Sequence, residues 1–492
     1  MHQGKRILGI LNNKKKSKNS PQIPATADEY LAAGVDFEEA GEKWRGGDAA
    51  KSTRFFIRAV NNYEEALKKF PNSFDLAYNK ARVLYELTQY PKLAAQLTGT
   101  LLDHLTTALE ASRYALGLKQ DNADILFNTA QVLTSIAEVT SETRNIGNDN
   151  NLALLEEAIE LFQRCLALQE YQYTESQAQA EFVPKSDSDP DPEESGTSLS
   201  DASSQPPQDD RWATIVEPVA LDTLLDTLIA QLQTLATLCG LVNVDAGRGL
   251  AWIEEYSSPL IGQKLQNYLQ GTTDREQEAG LAKSNFIAAL ADANFRVQRI
   301  DLGTYERVLN DAYSSLNLDD DHPEGLCDKA EAFISYNASL RLNYDAAQSP
   351  EVSASRWKVL SAALDNLTKA SKLPSADNLP KIHILRGDVE LLRFQLGQQP
   401  SNYDIAFKNG TVLAKNAEKF YRGAGILARS EGLTKELQEA GAKEALAMSL
   451  YGEKAKLLEA VKLHAGLVRG VLEDSLDDGL VSYEALSAMG IA

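Results

Sequence analysis

The chain has 492 residues, 43% hydrophobic and 7% aromatic, with only 16 prolines, a balance that suits packed helices better than a β-sandwich. Its 70 acidic and 49 basic residues leave a formal charge of −21, which argues against nucleic acid as the main partner and favours a basic protein. Cys165, Cys239 and Cys327 form no CxxC pair or disulfide framework, and the five histidines never pair at ligand spacing, so a reducing compartment and no metal or other cofactor are expected.

Residues 1–27 read as a basic disordered tail carrying Lys5, Arg6, Lys14, Lys15, Lys16 and Lys18. Such a run is either a solvated tail or a nuclear address or docking arm. The apolar patch Ile7–Leu11 is too short for a secretory signal, and no run of about eighteen apolar residues occurs. No membrane partner is expected, and the location is cytoplasmic, possibly nuclear. Residues 28–182 read as N-terminal helical repeats. Residues 183–210 form an acidic Ser/Pro-rich stretch with almost nothing to bury, hence a disordered loop. Residues 211–492 read as continuing helical repeats with C-terminal capping helices. Within them, Leu224, Leu225, Leu228, Leu232, Leu235 and Leu238 make one helical stripe just after Pro218. From Glu444, Leu446, Leu450, Leu457, Leu458 and Val461 continue a helical pattern that caps the array or docks a partner. The last residues, from Leu472, are expected to fold back on the final helix.

Self-similarity sets the fold class. Ala59, Tyr63 and Ala66 recur 49 residues on as Ala108, Ser112 and Ala115. The same offset carries Asp75 to Asp124, Asn79 to Asn128, Ala81 to Ala130, Val83 to Val132 and Leu84 to Leu133. The small–large–small spacing returns at Ala158, Phe162 and Cys165, at Ala363, Leu367 and Ala370, and at Ala417, Tyr421 and Ala424. Around Ala330 the sequence matches that around Ala130. Positions i, i+4 and i+7 share a helical face. Two small residues let paired helices approach, and the large one fills the groove between them.

These units resemble the tetratricopeptide repeat family, most clearly at Ala59, Tyr63, Ala66 and Pro71, with Gly47 and Gly387 at the family's small position in the first helix. The resemblance implies an all-α, right-handed helical-repeat solenoid of antiparallel helix pairs that binds protein. The step of 49 exceeds the usual 34. The closing proline is replaced at Gln120 and Glu170, and residues 240–300 show no clean unit.

No catalytic constellation stands out, so no enzyme is expected: there is no Gly-rich phosphate loop, GxSxG or HExxH. Glu254–Glu255 and Glu156–Glu157 are adjacent on helices and read as surface charge. Asp319–Asp321 lacks the spacing of a calcium loop and reads as a solvated turn. Cys165 stands where the repeat has alanine and reads as a buried small residue. Trp44, Trp212, Trp252 and Trp357 read as helix-packing residues, the alternative being exposed anchors.

In many tetratricopeptide proteins the first helices clamp the acidic tail of a heat-shock protein (Hsp70 or Hsp90) with Lys, Asn and Arg donors. Here Asn79 matches one donor, but Trp44, Asp48, Asp124 and Asn128 occupy other clamp positions, so tail binding is not expected. Asp75, Asn79, Asp124, Asn128 and Glu324 are instead the candidate partner-binding residues, lining a groove that attracts a basic segment. The plainer alternative is that first-turn acids offset helix dipoles. The sequence thus suggests a non-catalytic scaffold, such as an adaptor or dedicated chaperone for a basic client, or alternatively a structural subunit of a larger assembly.

Overall fold

The computed structural model describes residues 24–141, 148–182, 219–242, 247–318, 322–342, 349–463 and 465–490. The basic tail to residue 23, the acidic loop, Trp212 and Asp319–Asp321 lie outside them. The described residues are helical, without strands.

Helices follow one another in antiparallel pairs. The first pair is α1 (Ala27–Arg45) with α2 (Ala49–Lys69). The second is α3 (Phe74–Gln89) with α5 (Leu101–Leu118), separated by the short α4 (Pro91–Ala94). Then come α6 (Ala123–Ser141) with α7 (Asn148–Phe182), and α8 (Leu221–Leu241) with α9 (Gly247–Pro259) and α10 (Leu265–Leu269). The fifth and sixth pairs are α11 (Glu276–Arg296) with α12 (Leu302–Ser314) and α13 (Pro323–Leu342) with α14 (Pro350–Ala370). The seventh is α15 (Leu379–Gln395) with α16 (Asp404–Glu431), and the eighth α17 (Thr434–Ser449) with α18 (Lys454–Leu463). Two further helices, α19 (Ala465–Asp477) and α20 (Tyr483–Ala488), close the chain. Each pair packs on the next, so apolar surface left by one hairpin is covered by its neighbour, as in a tetratricopeptide-like solenoid.

Local signals fix the helix starts. Thr26 and Glu29 form a capping box before α1, and Thr100 and Asp103 form another before α5. Asp48 caps α2 by accepting from the Lys51 amide at 2.8 Å. The repeating alanines and their central residues are buried: Ala59, Tyr63 and Ala66 in α2, Ala158, Phe162 and Cys165 in α7, Ala417, Tyr421 and Ala424 in α16. The 49-residue step also becomes concrete. Helices α2 and α5 correspond, as do α3 and α6, and the extra length is shared between α4 with its flanking turns and long helices such as the 21-residue α2.

The first-helix register differs from expectation at one point. Gly47 lies in the turn after α1, with nothing within 4 Å of a Cβ built there. The close-packed glycine is Gly34, where a Cβ would come within 2.2 Å of the Tyr63 ring. Gly387 does sit at the small position, its Cβ site 2.4 Å from Tyr421. Asp48, a cap of the second helix, is therefore not a first-helix residue.

The unclear middle also has a cause. Pro259 interrupts the second helix of the fourth pair, and a π-turn at Leu260–Lys264 joins α9 to α10. Helix α8 is long and apolar enough to cross a bilayer by length and composition, although 67% of its most apolar window is buried inside the fold. Buried polar residues mark it as a packed helix. Thr227 donates to Gln169 at 2.7 Å, and Thr234 shares a hydrogen bond with Thr134 at 3.0 Å. The helical pattern from Glu444 is broken at Gly452, whose φ of 117° needs glycine, so two helices replace one. The tail folds back, but its bonds to Arg341, Gln395 and Ser449 run to α13, α15 and α17 and not to the final helix. The Asp477 carbonyl accepts from Arg341 at 2.5 Å, the Leu480 carbonyl from Gln395 at 3.0 Å, and the Met489 sulfur meets Ser449 at 3.2 Å.

Candidate protein-binding face

The first helices of successive pairs lie side by side in one row, and polar bonds knit the row together. Three junctions repeat one device. Glu38 on α1 accepts from the Tyr63 hydroxyl on α2 at 2.6 Å and pairs with Arg82 on α3. Asp292 on α11 accepts from Tyr305 on α12 at 2.7 Å and from Ser339 on α13 at 2.5 Å. Asp388 on α15 accepts from Tyr421 on α16 at 2.8 Å and pairs with Lys443 on α17 at 3.0 Å. A carboxylate thus ties its own partner helix to the next first helix. Burial pushes the Tyr421 hydroxyl well above its ordinary pKa, and the neighbouring Asp388 carboxylate adds to this, so the tyrosine stays a donor.

The predicted contact residues divide by environment. Asn79 and Asn128 are 1% and 5% exposed. Asn79 donates to the Asp75 carbonyl at 2.8 Å and accepts from Arg82 at 3.4 Å, while Asn128 donates to the Tyr78 hydroxyl at 3.3 Å. Both amides are used within the fold. Asp75, in the first turn of α3, is exposed. Its carboxyl is raised by partial burial and by Asp28, against the pull of Lys119. Asp124 is half-buried in the matching turn of α6. The α3 and α6 residues are neighbours through the Asn128–Tyr78 bond. Glu324 stands apart on α13, exposed in its first turn.

Around Glu324 the structure assembles an acidic strip that the sequence reading passed over. Glu324, Asp328 and Glu331 occupy i, i+4 and i+7 of α13 and so share a face. Asp328 accepts from Asn285 of α11 at 2.6 Å, which places the strip on the row of first helices. Burial, reinforced by Glu331 and Glu324 and opposed by the Asn285 bond, pushes the Asp328 carboxyl up to about 7. The spacing was readable in Glu324–Glu331, but the half-burial of Asp328 against α11 was not.

Thiols and tryptophans take quieter places. Cys165 is buried and donates to the Ala123 carbonyl at 3.3 Å; burial pushes its thiol, like that of Cys239, up to about 12. Trp44 is half-buried beneath Lys51, 3.2 Å from its ring centre, and Trp357 beneath Arg393 at 4.2 Å. Trp252 is 44% exposed and stacked on Tyr256.

No family model matches the chain. UPF0656 protein C926.02 of Schizosaccharomyces pombe is 25% identical over 430 residues, covering 84% of this chain and 87% of that protein. A solved circular tandem repeat protein with novel repeat topology and enhanced subunit contact surfaces shares 13% identity, over 92% of this chain and 99% of its own, at a TM-score of 0.29. The S. pombe nuclear import adaptor Nro1 shares 13% identity over 80% and 95%, at a TM-score of 0.27. The P58(IPK) TPR domain shares 12% over 90% and 98%, at a TM-score of 0.16. Scores this low say nothing of function; the solenoid rests on the chain's own packing.

Proposed function

We propose that the chain is a non-catalytic scaffold that holds a basic segment of another protein against its row of first helices, as an adaptor or dedicated chaperone. The observation that carries this reading is the acidic strip of α13, where Glu324, Asp328 and Glu331 share one helical face and Asn285 of α11 bonds Asp328 at 2.6 Å; burial and the two neighbouring carboxylates raise the Asp328 carboxyl above its ordinary range. A lysine or arginine placed there would offset the mutual repulsion of Glu324, Asp328 and Glu331 and favour the charged form of Asp328. Asp75, with Asp28 beside it, extends the same character to α3. The overall charge of −21 steers a cationic partner toward the chain. The free thiols of Cys165, Cys239 and Cys327 suit the cytoplasm or nucleus.

A Lys/Arg-rich peptide is the probe. Its affinity should fall steeply between about 0.1 M and 1 M salt, as the Debye length shrinks from ~10 Å to ~3 Å. It should fall again in a Glu324→Gln/Glu331→Gln variant. Salt-independent binding would remove the electrostatic argument. A second reading, a structural subunit of a larger assembly, draws on Ile405, Phe407, Val412 and Ile426, each at least 45% exposed on α16. A stoichiometric complex of fixed mass isolated from cells would favour it.

A further inference from the structure

Helix α16 is buried along one side, at Leu413, Ala417, Tyr421 and Ala424, and packs on α15 and α17. Its outer side is open and regular. Ile405, Val412, Lys419 and Ile426 recur every seven residues. Beside them Lys408, Lys415, Arg422 and Arg429 recur at the same interval. Alternating steps of three and four place both rows on one stripe of the helix. Its three aliphatic residues are 45%, 56% and 63% exposed, and all five cations are exposed. No acidic residue stands on the stripe, which runs for ~36 Å at about 1.5 Å per residue.

The charge of this stripe opposes that of the chain, whose formal balance is −21. The fold itself uses only part of it. Lys408 pairs with Asp404 at 2.6 Å, and Arg422 pairs with Glu418 and, at 3.0 Å, with Glu444. Lys415 lies over the Tyr451 ring, 5.4 Å from its centre. Among the described residues Lys415, Lys419 and Arg429 form no ion pair. Aliphatic side chains exposed singly need no explanation. Here they are spaced in register with cations, and the alkyl stems of those cations carry apolar surface from one aliphatic residue to the next.

We infer that the outer stripe of α16 docks an acidic amphipathic helix of a partner protein, with aliphatic residues facing Ile405, Val412 and Ile426 and carboxylates facing the basic row. The inference deepens the structural-subunit reading, on which it rests, and is independent of the acidic strip on α13. Period selects a helix: two rows repeating every seven residues match a second helix laid along the first, whereas a strand repeats every two. Charge selects its chemistry, because unpaired cations beside aliphatic residues are met by carboxylates beside aliphatic residues. An anionic bilayer fits less well, since three aliphatic residues over this length offer it little to bury. The charge of the whole chain repels both a bilayer of that kind and a phosphate backbone. A single helix meets the stripe alone.

The probe is a helical peptide of about three heptads with Leu and Glu at the matching spacing, titrated against the full chain beside the same peptide with Gln for Glu. The Glu peptide should bind and the Gln peptide should bind more weakly. Lys419→Glu/Arg429→Glu reverses two exposed, unpaired charges and breaks no bond within the fold, so it should keep the wild-type Tm and weaken the Glu peptide roughly tenfold or more. Val412→Ser should weaken both peptides. Glu324→Gln/Glu331→Gln should bind as wild type does, which separates this stripe from the acidic one. Absence of binding, equal affinity for the two peptides, or an unchanged affinity in Lys419→Glu/Arg429→Glu would each overturn the inference. So would phosphatidylserine vesicles or single-stranded RNA that bind through these two cations when the Glu peptide does not. A fixed-mass complex isolated from cells that survives Lys419→Glu/Arg429→Glu would sink the inference and keep the subunit reading, whereas a wild-type chain found in no such complex would sink both.

Discussion

Tyr421 fills the groove between two alanines, as its spacing implied, but its hydroxyl does something the spacing could not reveal. It holds Asp388 in place between α15 and α17. Tyr421→Phe keeps the ring and should cost ~1–3 kcal/mol in denaturant unfolding, because a buried carboxylate loses one of its donors. Lys443→Met should cost more, ~3–5 kcal/mol, since it leaves Asp388 buried without a counter-charge. Equal stability of Tyr421→Phe and wild type would show that the tie adds nothing. At Asp328 the sign is opposite. Its folded pKa of about 7 lies above the ordinary carboxylate value, so the folded chain holds a proton that the unfolded chain has released. Its contribution is fully present at acid pH and is lost as pH rises toward 7. Asp328→Asn keeps an acceptor for Asn285 and should be more stable than wild type at pH 8. It should also show a flatter dependence between about pH 4 and pH 7. A wild type whose midpoint falls no more steeply than that of Asp328→Asn over this range would contradict the shift.

At the scale of the helix, small–large–small spacing located the second helices because their packing repeats the same three positions. The first helices were harder. Several glycines lie near the first pair, and sequence alone does not say which one faces Tyr63. Packing selects Gly34 and leaves Gly47 in a turn. The candidate site was legible in the same uneven way. First-turn acids such as Asp75 and Glu324 remain at the surface, whereas Asn79 and Asn128 are consumed by neighbouring helices. A clamp motif records residue type and register, but not whether an amide already has a partner. The two glycines give a direct comparison. Gly34→Ala forces the Tyr63 ring aside and with it the Glu38 bond, so it should cost ~1–3 kcal/mol or more. Gly47→Ala meets nothing and should be within ~0.5 kcal/mol of wild type. Similar losses at both sites would mean that the register assigned to α1 is wrong.

Across the whole molecule, one contact joins parts of the chain that are far apart in sequence. Lys92 on α4 pairs with Glu431, the last residue of α16, at 3.2 Å. The array therefore curves until the inserted α4 reaches the seventh pair. Lys92 is 58% exposed, so the pair itself contributes little, ~0–1 kcal/mol; the curvature comes from the helix packing along the row. Lys92→Glu should leave stability nearly unchanged. A Lys92→Cys/Glu431→Cys chain, with Cys327 replaced by serine, should be joined within a single molecule by a short bismaleimide and run faster on a denaturing gel. Failure to link at low protein concentration would place the two ends apart and open the curve. The curvature bears on the proposed binding because a row of first helices bent toward closure would surround an extended segment, and its carboxylates would then act on that segment together. An opened array would leave Asp75 and Glu324 as separate surface charges, each screened by salt. Cross-linking before peptide addition separates these cases: a closed array that still admits the basic peptide takes it in along the axis, whereas a block to binding means that the ends must part first.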